Sequence, residues 1–285
     1  MSAQASLLPG NRLHLNHGPI DLIISADGDA SDVRRAYQVA AAMFPNILPE
    51  LVAELVVLRA PVEGVKPYVS GPVARRMVEA VWPYRDVFIT PMAAVAGAVA
   101  EHVLATMAEA APLRRAIVNN GGDIAIHLAE GESLRAGVVG DLSLPKMDAT
   151  VEIASVDPMR GIATSGWRGR SQSLGIADAV TVLAASAAMA DAAATMIANE
   201  INVDDPDIHR LPAREVRDDS DLGDLLVTVD VGLLPARKVE LALQNGARRA
   251  AELRQRGLIT AAYLQLQRQV LVVGDMTQSV PSRAA

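Results

Sequence analysis

Two oxygen-bearing side chains four residues apart, Asp191 and Thr195, sit in the segment Ala190-Asp191-Ala192-Ala193-Ala194-Thr195. On a helix that spacing puts carboxylate and hydroxyl on one face, a turn apart. Oxygen donors suit a hard cation such as Mg²⁺. The Ala- and Met-rich surroundings of Asp191 are too apolar for a surface helix, and a charge in such a setting requires a partner or a metal. The plainer reading is a solvated Asp beside a Thr that bonds back to a helix carbonyl.

Two further segments offer ligand chemistry. Asn119-Asn120-Gly121-Gly122-Asp123-Ile124 lies between two strand-like runs. Paired glycines let a backbone approach a planar ligand, with Asn119 or Asn120 placed to bond it. The same residues are also standard hairpin chemistry. Ala163-Thr164-Ser165-Gly166 can form a hydroxyl-rich nest for phosphate, or be an ordinary loop. Trp167, Arg168 and Arg170 follow directly, and an aromatic beside guanidinium groups suits an aromatic, phosphorylated ligand.

The remaining residues exclude more than they suggest. The five histidines, His14, His17, His102, His127 and His209, show no metal-ligand spacing, and His14 and His17 fall on opposite faces of a strand. The chain has no cysteine, so disulfides, thiolate catalysis and Cys-based metal sites are ruled out. Nucleophile-elbow, Walker A and Rossmann glycine motifs are absent. A formal charge of −7 disfavours nonspecific nucleic-acid binding.

The elements that must position these residues follow from periodicity. Hydrophobic residues make up 51% but aromatics only 3%, so small aliphatics must fill the core and let elements approach closely. Strands are expected within His14 to Ile24. Helices are expected over Val33 to Phe44, capped by Ser31 or Asp32 and ended by Pro45, then Pro49 to Leu58, Pro72 to Val81 and Met92 to Ala110. Short β-branched runs predict strands at Arg115–Val118, Asp123–Leu128, Leu134–Val139, Val151–Val156, Gly161–Thr164 and Ala179–Ala184. A helix over Ala187–Asn199, an exposed segment from Asp204 to Asp224, a strand at Leu225–Val231, a helix over Pro235–Arg256 closed by Gly257 and one strand over Tyr263–Val273 complete the chain. A single domain over residues 1–275 and a fraying tail over 276–285 are expected.

Met1 to Leu15 has neither the basic nor the apolar region of a signal peptide. The apolar stretch Val87 to Met107 contains Glu101 and His102, which favours a buried helix over a membrane span. A cytoplasmic, membrane-free protein is therefore expected. Strands in runs with helices in blocks predict an α+β fold with mostly antiparallel sheets and helices packed on them.

Taken in order, Asn120-Gly121-Gly122-Asp123-Ile124, Ala163-Thr164-Ser165-Gly166 and Val180-Thr181-Val182 leading into Ala190–Thr195 resemble the ApbE superfamily of flavin-handling, T-fold-related proteins, known for FAD:protein FMN transferases. The resemblance implies Mg²⁺ at Asp191 and Thr195, with a backbone carbonyl from Ala93 to Gly97 as a further ligand. It also implies an FAD or FMN site lined by Asn119, Asn120, Gly121, Gly122, Thr164, Ser165 and Gly166. One departure matters. FMN transferases carry a His-x-x-Asp-Pro-x-x-Gly segment after Thr-Ser-Gly, whereas Trp167 to Ala179 contains neither His nor Asp-Pro. Asp178 and Asp123 are the candidate substitutes for the base.

Three functions stay open from sequence: a Mg²⁺-dependent transferase or pyrophosphate hydrolase acting on FAD; a binder of flavin or another phosphorylated, heteroaromatic metabolite serving a partner reductase; and a noncatalytic assembly protein. A protein partner and a homo-oligomer are compatible with each.

Overall fold

The computed structural model describes residues 2–138, 149–169 and 171–278. The expected strand end at Val139, Arg170 and tail residues 279–285 lie outside them. The chain divides into two compact units: residues 1–133, 154–163 and 184–192 form the first, and residues 134–153, 164–183 and 193–285 the second. Helices and antiparallel sheets are mixed throughout, so the fold class is α+β.

The first unit holds an antiparallel sheet in which neighbours in sequence are neighbours in space: β1 (Gln4–Leu8), β2 (Arg12–His17), β3 (Ile20–Asp27), β4 (Arg115–Asn120) and β5 (Asp123–Leu128). The first part of β8 (Gly161–Ser165) adds to β5 through Ile124 opposite Ile162. Alternation sends Leu13, Leu15, Leu22, Ile24, Ala116 and Val118 to one buried face. Helices α1 (Ala30–Ala53) and α4 (Val95–Ala110) pack there, with α3 (Pro72–Val81) against α4. His14 and His17 do diverge. His14 meets Asp21 at 2.5 Å, while His17 packs edge-on against Phe44.

Five points of the reading of this unit need revision. β1 carried no signal strong enough to be read. Pro45 does not end α1, which continues through Pro45 and Pro49 because Phe44, Ile47 and Leu51 extend its buried stripe. The cap is the backbone of Asp29, not Ser31 or Asp32. At Glu54 the chain breaks before the short α2 (Leu55–Leu58), and the Glu54 carboxylate turns to accept the N–H groups of Ser70 (2.6 Å) and Gly71 (3.0 Å) ahead of α3. The expected helix from Met92 begins as a 3₁₀ turn, Pro91–Ala94, and becomes α-helical only at Val95. Pro91–Ala110 is the one described helix long and apolar enough by composition to cross a membrane. Ala98, Val99, Ala100, Val103 and Met107 of that helix are buried inside the protein.

In the second unit β9 (Ala179–Ala184), fully buried, pairs antiparallel with β12 (Ala261–Leu266), which pairs with β13 (Gln269–Val273). The run expected as one strand is thus a hairpin, turned at Gln267 and Arg268 with φ of 45° and 67°. Helix α7 (Ala236–Gln255) covers β12 and β13, and Gly257 follows it at φ 71°. The segment expected as an exposed loop or loose helix contains β10 (Ile208–Pro212) and the short α6 (Ala213–Val216), and β10 pairs with β11 (Leu226–Val231). A small sheet joins β6 (Ser133–Val138), β7 (Ala149–Ala154) and β14 (Thr277–Gln278), so the expected tail is strand-paired at its start. Helix α5 (Ala187–Glu200) begins in the first unit and ends in the second.

Candidate functional site

The start of α4 is where the first unit concentrates its acidic chemistry. A helix N-terminus leaves four N–H groups without intrahelical acceptors and carries partial positive charge. The Asp191 carboxylate, from α5, accepts the Gly97 N–H at 3.0 Å and receives a further N–H from Ala96. Gly97 is required for this approach, since a Cβ there would lie 2.3 Å from the Ala187 carbonyl oxygen. From the sheet side, the Asn120 amide donates to the Ala96 carbonyl at 3.1 Å, and its oxygen accepts the Asp21 N–H at 3.4 Å.

Asp191 keeps a little solvent exposure, yet protein surrounds it closely. Burial pushes its carboxyl well above the usual carboxylate range, and the Asp123 carboxylate pushes in the same direction. The N–H groups of Gly97 and Ala96 oppose both but do not prevail. Asp191 is thus held where burial and a neighbouring carboxylate both disfavour its charge.

Asp123 starts β5, directly opposite Asn120 across the β4–β5 hairpin. Gly121 and Gly122 form its tight turn with φ of 66° and 113°, and the Asn119 side chain accepts the Gly122 N–H at 2.8 Å. The hairpin reading of this motif is therefore realised, and the asparagines serve the local fold: Asn119 the turn, Asn120 the start of α4. Thr195 follows Asp191 by one turn on α5.

In the second unit, Thr164 is exposed and its hydroxyl bonds that of buried Thr181 at 2.8 Å. Gly166 lies so near the following strand entry that a Cβ would stand 2.5 Å from the Asp178 carbonyl oxygen. Ser165 is partly exposed between them. Asp178 is committed to the fold: one oxygen accepts from Arg168 at 2.9 Å, the other accepts the Gln267 N–H at 2.6 Å in the β12–β13 turn. The short segment that follows Trp167 is similarly tied down, by Gln172 to the Ala213 carbonyl, Leu174 to Asn199 and Ser173 to Thr228.

The structure thus brings Asp191, Asp123 and Asn120 together in the first unit, and Thr164 with Thr181 in the second. Sequence reading missed the Gly97 and Ala96 N–H groups as partners of Asp191. The signal was the small-residue stretch Ala93 to Gly97 at the start of α4, which the resemblance marks only for its carbonyls. A depression of ≈ 310 Å³ elsewhere in the first unit, lined in part by Glu101, His127 and Arg160, is not a rival site. Its polar groups bond Arg76, the Leu113 carbonyl and the carbonyls of Ser155 and Asp157 respectively.

The donor set fits a hard divalent cation. Asp191 and Asp123 supply carboxylate oxygens, and a cation between them would relieve the penalty that Asp123 places on Asp191. No group of three or more His, Asp or Glu side chains placed to hold a metal ion occurs among the described residues, so backbone oxygens and water must complete any such shell.

A protein-family model described as AbpE bacteria matches residues 4–277. A UPF0280 protein of Methanopyrus kandleri is 39% identical over 156 residues, 54% of this chain and 59% of that protein. A UPF0280 protein of Methanothrix thermoacetophila is 38% identical over 136 residues, 47% of this chain and 54% of the relative. The chain thus spans somewhat more than half the length of these curated relatives. Among solved structures, the Pseudomonas stutzeri flavinyl transferase ApbE aligns over 96% of this chain and 95% of its own, at 12% identity and a TM-score of 0.45. The Vibrio cholerae flavin transferase ApbE aligns over 95% and 96%, at 11% identity and 0.46. With almost its full length matched, the chain belongs to the AbpE bacteria family.

Proposed function

We propose that this protein binds a flavin nucleotide, FAD or FMN, in a Mg²⁺-dependent manner and transfers FMN weakly if at all. One observation carries the metal half of the reading: Asp191, raised by burial and by Asp123, sits against the N–H groups that open α4. A carboxylate placed at that expense gains from a cation that shares it. Asp191 and Asp123 would hold the ion, whose chemistry when bound is to offset pyrophosphate charge. The flavin half is supported by family membership and by the ordered motifs, through which Thr164, Ser165 and Gly166 take the role of ligand contacts.

A specific observation favours binding over transfer. Transfer to a hydroxyl acceptor needs a group to take its proton, and a positioned base contributes roughly 10²–10⁴-fold. Asp178 is occupied on both oxygens by Arg168 and Gln267, and the segment after Trp167 contains no histidine. Purified protein incubated with FAD, Mg²⁺ and a Ser/Thr-bearing acceptor tests this. The expectation is retained FAD with little fluorescent labelling of the acceptor and little FMN or AMP release. Efficient labelling would overturn the weak-transfer reading, and an absence of FAD binding would overturn the proposal as a whole.

A further inference from the structure

Trp167 stands at the corner of a tight turn closed by the Gly169 N–H bonding the Gly166 carbonyl at 3.2 Å. Its backbone N–H donates to the Ala177 carbonyl at 3.0 Å, which fixes the residue immediately after Thr164-Ser165-Gly166. The Arg168 guanidinium stacks on its ring, 4.5 Å from the centroid, and is held by Asp178. The indole Nε1–H, however, is buried and meets no acceptor in the described protein. An indole nitrogen can only donate, and a buried donor without an acceptor is costly enough that native proteins rarely leave one.

We infer that the Trp167 indole N–H is a ligand-binding donor, and that its acceptor is an oxygen or ring nitrogen of the bound flavin nucleotide. This rests on the reading that the Thr164–Gly166 turn contacts flavin. Three features of the site agree with it. The residue adjoins the hydroxyl-rich turn in sequence, and its backbone is fixed, so the donor is pre-positioned. The group roofing its ring is a long side chain, 60% exposed, rather than backbone. Phe at this position would keep an aromatic face for Arg168 while removing the donor together with part of the indole ring.

Trp167→Phe is therefore the discriminating variant, with Trp82→Phe, in the other unit, as the control. FAD affinity is measured in Mg²⁺ by titration calorimetry, and thermal unfolding is measured without ligand. Loss of a hydrogen bond to a buried partner predicts FAD binding weakened roughly five- to hundredfold in Trp167→Phe and unchanged in Trp82→Phe. Ligand-free Trp167→Phe should lose only the packing of the ring atoms it removes, so its unfolding temperature should fall no further than that of Trp82→Phe. Unchanged FAD affinity in Trp167→Phe would overturn the inference while leaving the flavin reading intact. So would a lowered unfolding temperature without ligand together with unchanged affinity, which would assign the N–H to a structural water. If the unsubstituted protein does not bind FAD, inference and function reading fail together.

Discussion

Asp191 accepts the backbone N–H of Gly97 at 3.0 Å, so a side chain of α5 closes the open start of α4. A single contact does two things. It satisfies an orphan donor of a helix terminus, and it holds a carboxylate beside Asp123 at a cost that a cation can relieve.

The first prediction separates these roles. Asp191→Asn keeps an oxygen to accept from Gly97 and removes the charge that burial and Asp123 disfavour. Its metal-free stability should stay within about 1 kcal/mol of the parent or exceed it. The rise in unfolding temperature on adding Mg²⁺ should disappear. Thermal unfolding with and without Mg²⁺ measures both, and an undiminished Mg²⁺ response in the variant would remove Asp191 from the metal site.

A second prediction concerns close approach. Gly97→Ala introduces a Cβ 2.3 Å from the Ala187 carbonyl oxygen, a backbone atom that cannot swing aside. The variant should lose about 1–3 kcal/mol by chemical denaturation. Its Mg²⁺ response should fall too, since α4 and α5 must separate where Asp191 reaches across. Wild-type stability in this variant would show that the two helices are not so tightly apposed.

Asp178 tests the missing base. In Asp178→Ala the Gln267 N–H loses its acceptor and Arg168 its partner, so stability should fall by about 1–3 kcal/mol. Any residual FMN release per folded molecule should change less than twofold. A loss of a hundredfold or more in the folded variant would instead make Asp178 the base.

Glu54 gives a pH signature remote from the site. Burial acts to raise its carboxyl, but the N–H groups of Ser70 and Gly71, the Ser70 hydroxyl and Arg75 outweigh it and hold the group below its ordinary value. A carboxyl depressed in the fold contributes stability that is complete above the unfolded value, about 4.3, and is lost as pH falls through the folded value. Glu54→Gln should therefore flatten the decline in unfolding temperature below pH 5 while leaving the rest of the acid profile in place. A decline as steep as that of the parent would count against this cap.

How much of this was legible in the sequence depends on the kind of signal. Helix α3 read cleanly because Gly71-Pro72 specifies its start through local chemistry. The α+β class read cleanly because alternation in β3, β4 and β5 is strong. Pro45 misled because the apolar stripe from Phe44 to Leu51 outweighs the helix-breaking tendency of a proline, a tertiary effect that no local rule records. The β12–β13 turn was hidden because Gln267 and Arg268 adopt positive φ without a glycine to announce it. At the candidate site, residue types were readable and pairings were not. Asp191 stood out as a charge in an alanine-rich helix, but its neighbours Gly97 and Asp123 are 94 and 68 positions away, and only folding brings them near.

The most direct test of Mg²⁺-dependent flavin binding is a calorimetric titration of FAD into the purified protein and into Asp191→Ala, each with Mg²⁺ and with chelator. The account predicts binding by the parent only when Mg²⁺ is present, and none by Asp191→Ala in either condition. Equal FAD affinity with and without Mg²⁺, or undiminished binding by Asp191→Ala, would contradict it.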